Sequence, residues 1–201
     1  MDRILVWDWP VRIGHWLLVG AFALAWLTSE SEAWRLVHAG AGGTVVGVIA
    51  FRLLWGVVGT RHARFASFVR GPGGVRDYLL GLVSGRPLHT AGHNPAGGWA
   101  IVALLALGLL TGASGWLTYN EVGGEWFEEV HEAMASLMLG VAVLHVAGVV
   151  VSSLAHRENL VLAMLTGMKH GTPAEAIRGA RPWAVPMLLA CAAACAWWLA
   201  R

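Results

Sequence analysis

Charge is scarce in this chain. Only 13% of its 201 residues are Asp, Glu, Lys or Arg, about half the share found in a soluble domain. The formal net charge is +2. No block of like charge is present, and nothing points to a nucleic-acid partner. Cysteine is scarce too. Cys191 and Cys195 are the whole supply, so there is no disulfide framework. They sit at i, i+4 on one helix face and read as two buried structural thiols. The chain lacks a CxxCH motif, so covalent haem attachment of the c type is not indicated. It also lacks strand alternation and any internal repeat.

What remains is apolar. Hydrophobic residues make up 57% of the chain, and the mean hydropathy is +0.60. This composition assigns an all-α integral membrane protein. Apolar runs at 11–28, 34–58, 98–119, 127–155 and 183–200 are each long enough to cross a hydrocarbon core about 30 Å thick. The 12 Trp and 26 Gly suit interface anchors and close helix packing. The first run follows a short polar arm, residues 1–10, and so resembles a signal peptide. His15, one turn inside it, favours a retained helix.

The connecting segments differ in sign. Glu30 and Glu32 lie in the first loop. Glu121, Glu125, Glu128, Glu129 and Glu132 crowd the third loop region with no Lys or Arg. The second loop carries Arg61, Arg64, Arg70, Arg76 and Arg86, the fourth Arg157, Lys169, Arg178 and Arg181, and the N-terminal arm Arg3 and Arg12. By the positive-inside rule the N-terminus and loops two and four are cytoplasmic. In the long second loop, residues 74–83 are expected to form a short helix on the inner surface.

The stretch 127–153 organises the rest. It carries His131 and His145, fourteen positions apart. At 100° and 1.5 Å per residue they return to within about 40° of one face and differ in depth by about 21 Å. Ionisable groups inside a membrane are costly and usually functional. With the topology above, His15 and His145 share the cytoplasmic level, and His38 and His131 share the opposite one. Two layers of paired imidazoles suit two b haems, each iron held by two histidines from different helices. Such an iron has no open position for oxygen and shuttles single electrons.

Each residue also has a plainer reading. A lone membrane histidine more often donates an interhelical hydrogen bond than binds a metal. Gly14, Gly20, Gly40, Gly42 and Gly43 open space for flat macrocycles or serve as packing contacts. Arg52, the only Lys or Arg well inside a span, pairs with a haem propionate or snorkels to the inner interface. The glutamates near His131 form a solvated face or a docking surface for a basic partner. His62, His89, His93, His156 and His170 read as polar loop residues. Alternatively, His93 or His156, with Arg64 or Arg157, lines a quinone or propionate site and delivers protons there.

The segments VWDWPVRIGHW, LVHAGAGG, FRLLWGVVGTRHARF, GHNPAGGW and VLHVAGVVVSSLAHREN resemble the bacterial cytochrome b561 family, to which the hydrogenase b-type cytochrome subunits also belong. The resemblance covers about residues 4–170. It implies a four-helix core with two b haems, with ligands at His15, His38, His131 and His145. Residues 171–201 would then be a linker and an added C-terminal transmembrane helix, either peripheral or a dock for another subunit. The implied place is a bacterial inner membrane. The implied function is electron exchange between the quinone pool (ubiquinone or menaquinone) and a redox partner: a c-type cytochrome, a hydrogenase or a dehydrogenase. The alternative is a self-contained superoxide:ubiquinone oxidoreductase. The mostly acidic outer loops, with Arg35 the main exception, disfavour attraction of an anion. A histidine-bearing metal or proton transporter is a third reading and predicts no Soret band.

Overall fold

The computed structural model describes residues 2–86 and 88–201. Met1, in the polar arm, and Pro87, in the second loop, lie outside the described residues. In chain order the elements are β1 (Asp2–Leu5), α1 (Trp9–Thr28), α2 (Arg35–Val58), α3 (Phe65–Phe68), α4 (Pro72–Val83), α5 (Pro95–Tyr119), α6 (Glu125–His156), α7 (Leu160–Thr166), β2 (Met168–Gly171) and α8 (Val185–Leu199). Among the described residues, five helical stretches are long and apolar enough to cross a membrane: α1, α2 with the turn before it (Glu32–Val58), α5, α6, and α8 with the turn before it (Pro182–Leu199). The protein is therefore an all-α membrane protein, with α4 as the expected short loop helix.

The spans α1, α5 and α6 begin earlier than their apolar runs, the last two for reasons visible in their first turns. Asn94 caps α5, its Oδ1 accepting from Gly97 N at 2.7 Å, and Pro95 takes the first position, where no N–H is needed. Glu125 and Glu128 lie in the first turn of α6, where carboxylates meet the positive end of the helix dipole. The expectation of no strand is corrected. Asp2–Leu5 pairs antiparallel with Met168–Gly171. Four residues are too few for an alternation to be visible, and the partner strand lies far away in sequence.

The chain divides into two compact units. One comprises Met1–Arg12, Leu54–Ala103 and Val141–Pro182, and its centre is Asp8, fully buried. Asp8 Oδ1 accepts from Val11 N at 2.9 Å, which caps α1. Oδ2 accepts from Trp55 Nε1 at 2.9 Å and from Thr60 Oγ1 at 2.7 Å. Both oxygens of the buried side chain thus have donors, as a buried polar group requires. The helix α7 ends at Gly167, whose φ of +82° suits glycine. The carbonyl of Gly167 accepts from Val6 N and Trp7 N, pinning the N-terminal arm.

The other unit comprises Ile13–Leu53, Leu104–Gly140 and Trp183–Arg201. Here α2 is central. Val46 packs on Gly112, and Ile49 packs on Gly108 of α5. On another face, a Cβ at Gly43 or Gly47 would collide with the backbone of Cys195 and Ala196, or of Cys191 and Ala192. Glycines one turn apart thus let α8 lie directly on α2, a small-residue contact suited to a membrane. Leu188 of α8 is fully buried and touches Gly14 of α1. Trp198 stacks on Trp116 of α5 with centroids 5.6 Å apart. The fifth helix is thus a packed layer of its unit.

Candidate functional site

Within the second unit the fold brings His38 and His131 together. His38 lies in the first turn of α2. Its Nδ1 is 2.9 Å from the carbonyl oxygen of Ala25, one of the last carbonyls of α1, which have no backbone N–H partner in the helix; this one also accepts from the Thr28 hydroxyl at 3.2 Å. His131 lies in the second turn of α6, with Nδ1 2.9 Å from the carbonyl oxygen of Thr111. The ring reaches that carbonyl because position 115 is glycine. A Cβ there would stand 2.8 Å from His131 Cε1 and Nδ1.

These contacts assign the tautomers. A carbonyl oxygen only accepts, so each Nδ1 carries the hydrogen and donates. In the neutral imidazole this tautomer leaves the Nε2 lone pair for a metal, the arrangement that backbone carbonyls impose on metal-binding histidines. The two ring centroids are 6.0 Å apart, with planes 75° apart. Metal–imidazole bonds of about 2 Å each would space two ring centres by about 6 Å, so the separation fits an iron between them. A Cβ at Gly20 of α1, or at Gly40 or Gly42 of α2, would have no neighbour within 4 Å.

The other sequence candidates are placed as follows. His15, on α1 in the second unit, meets Trp16 edge-on at 5.0 Å. Arg52 is half-buried on α2 in the same unit. His145 is half-buried on α6 in the first unit. The His93 ring lies tilted against Trp7 and Phe68, with centroids 4.5 Å and 4.6 Å away. His156 is the last residue of α6 and half-buried. Arg64 is exposed before α3. Arg157 is exposed and has a φ of +50°.

Three buried polar groups escaped the sequence reading. Asp8 had a detectable signal: an Asp shortly before an apolar run, with Pro10 in the first turn, marks a helix start. His62 and Lys169 had none, because their partners are distant in sequence. His62 Nε2 is 2.7 Å from the Glu175 carbonyl oxygen, and burial lowers the imidazole pKa below its ordinary value. Lys169 Nζ donates to the carbonyls of Thr90 and Gly92 and lies 3.8 Å from Glu158 Oε2. Burial lowers the pKa of its ammonium, while Glu158 opposes that shift. Glu158 in turn accepts from His170 N. Glu175 is held below the usual carboxylate range by hydrogen bonds from the Thr172 backbone and hydroxyl.

These contacts explain the segment GHNPAGG. A Cβ at Gly92 would meet His62 Nδ1 at 2.9 Å, and one at Gly98 would meet the Phe68 carbonyl oxygen at 2.9 Å. His93 enters the aromatic cluster, and Asn94 caps α5 while its Nδ2 reaches Ser152 Oγ. The segment therefore fastens the start of α5.

Among protein families, the model described as prokaryotic cytochrome b561 matches residues 6–167. No curated protein and no solved structure matches the chain. On the span of that match, the chain belongs to the prokaryotic cytochrome b561 family of multi-pass membrane proteins that transfer electrons through b-type haem.

Proposed function

We propose that the protein carries electrons across the bilayer through two b haems, linking the quinone pool to a redox partner: a c-type cytochrome, a hydrogenase or a dehydrogenase. The observation that carries this is the pair His38 and His131, 6.0 Å apart, each with Nδ1 committed to a backbone carbonyl. In this reading His38 and His131 hold the haem nearer the outer surface, and His15 and His145 hold the inner one. Haem iron with two imidazole ligands supplies reversible one-electron chemistry.

The chain's own residues supply the rest. Ala25 and Thr111 hold the Nδ1 side of the outer imidazoles and so orient the rings. Arg52, half-buried on α2, pairs with a propionate of the inner haem. His93 or His156, with Arg64 or Arg157, lines a quinone or propionate site near the cytoplasmic surface and exchanges protons there. The N-terminus faces the cytoplasm, because Arg-rich segments flank the same ends of the spans. The superoxide reading has less support. Arg35 already pairs with Glu32 at 3.5 Å and lies over the Tyr119 ring, which weakens it as a lure for an anion.

The test is a pyridine haemochrome assay on the purified chain, with about two b haems expected. His38→Ala and His131→Ala should remove one spectroscopic component, and His15→Ala and His145→Ala the other. A colourless protein, or a His38→Ala variant with both components intact, refutes the proposal.

A further inference from the structure

We propose that α4 is an interfacial anchor that selects anionic phospholipid. The helix is nailed in place by one residue. Tyr78 is almost completely buried, and its hydroxyl lies 3.1 Å from Ser152 Oγ of α6. Asn94 Nδ2 converges on the same hydroxyl at 3.4 Å. This contact sets both the rotation and the depth of α4.

Rotation follows from helix geometry. At 100° per residue, Leu79, Val83, Arg76 and Leu80 all lie about 100° or more from Tyr78. The face opposite the anchor is therefore apolar and cationic. Leu79, Leu80 and Val83 are 45%, 55% and 88% exposed. Arg76 is exposed among them, and exposed Arg70 and Arg86 flank the two ends of the helix. Asp77 is the only acidic residue in α4.

Depth follows from Ser152. It lies four residues before the end of α6, a helix long and apolar enough to span, so about 6 Å inside that end. That is the level at which amphipathic helices rest at the boundary of headgroups and acyl chains. Trp99, in the first turns of α5, holds the segment that leads into α4. It is exposed, and its Nε1 donates to the Arg70 carbonyl oxygen at 2.7 Å, as an interfacial tryptophan does.

An occupant of this face must offer acyl chains to Leu79, Leu80 and Val83 and phosphate to three guanidiniums. An anionic phospholipid does both, and a soluble protein at this depth would have to displace lipid first. Each arginine near an anionic surface strengthens attachment roughly fivefold.

The test uses the full chain in nanodiscs of phosphatidylcholine, with or without phosphatidylglycerol, followed by amide hydrogen exchange. Exchange in α4 should slow roughly tenfold or more when phosphatidylglycerol is present. Arg70→Gln/Arg76→Gln/Arg86→Gln should abolish that difference, and the Lys triple variant should keep it. Unchanged protection of α6 shows that the variants are folded. Equal α4 exchange in the two membranes overturns the proposal and leaves the face to a protein partner. So does a Gln triple variant that retains the difference.

Discussion

His131 donates through Nδ1 to the carbonyl oxygen of Thr111 at 2.9 Å, across the space that Gly115 leaves empty. The missing side chain, one turn further along α5, is what allows the bond. Gly115→Ala is expected to push the imidazole off Thr111. Loss of such a supporting bond costs about 10–100-fold in metal affinity. Haem titration of the apoprotein should show that loss, with a shifted potential for the outer haem. Gly140→Ala, where no neighbour lies within 4 Å, should behave as wild type. Equal haem affinity and potential in both variants would mean that Thr111 does not position the ligand.

Asp8 ties three segments of the first unit together. Asp8→Ala removes a helix cap, a loss of about 1 kcal/mol. It also leaves the Trp55 indole N–H and the Thr60 hydroxyl without their acceptor, at about 1–3 kcal/mol for a buried group. The expected destabilisation is about 3 kcal/mol, read from thermal unfolding in detergent by circular dichroism. Asp8→Ser should recover only the capping share. An unchanged melting temperature for Asp8→Ala would show that the network is not stabilising.

The contact between α2 and α8 rests on the absence of side chains at Gly43 and Gly47. Gly47→Leu places a branched side chain where the Cys191 carbonyl and Ala192 Cα now lie. Overpacking of this kind costs about 1–3 kcal/mol. Limited proteolysis should then cut the 172–184 linker faster. Gly148→Leu, with no neighbour within 4 Å, should leave the cutting rate unchanged. If both variants resist protease equally, the α8 contact is not close-packed.

His62 makes the first unit sensitive to acid. Burial lowers its pKa in the folded chain below the ordinary 6.5. Below pH 6.5 the unfolded chain therefore takes up protons that the folded chain resists. Its stabilising contribution is complete above that pH and declines as the pH falls toward the folded value. Melting temperatures at pH 7.5 and 5.5 should differ more for wild type than for His62→Gln. Equal pH dependence would assign the acid sensitivity to other groups.

The segments that resemble the family meet largely in the first unit. Asp8 of VWDWP binds Thr60 of GTRHARF, Asn94 of GHNPAGG reaches Ser152 of VVVSSLAHREN, and His93 of GHNPAGG packs against Trp7 of VWDWP. Their recurring polar residues looked like site chemistry, and several of them act as fasteners. Sequence reading separates these roles poorly, because a cap, a buried acceptor and a ligand use the same side chains. It differs from the structure most where the partner is remote, as in the ribbon of Asp2–Leu5 with Met168–Gly171 and the buried Lys169.

By itself the sequence determined the membrane class, the five spans and the family, because these depend on run length, composition and motif order, which are properties of a linear chain. It also set the helical spacing that puts His131 and His145 on one face. Tertiary structure alone decided which nitrogen of His38 and of His131 is protonated, that Gly43 and Gly47 seat α8, and that Asp8 is a buried hub. Those outcomes depend on which carbonyl or side chain a different helix brings within about 3 Å, a distance that spacing along one chain does not encode.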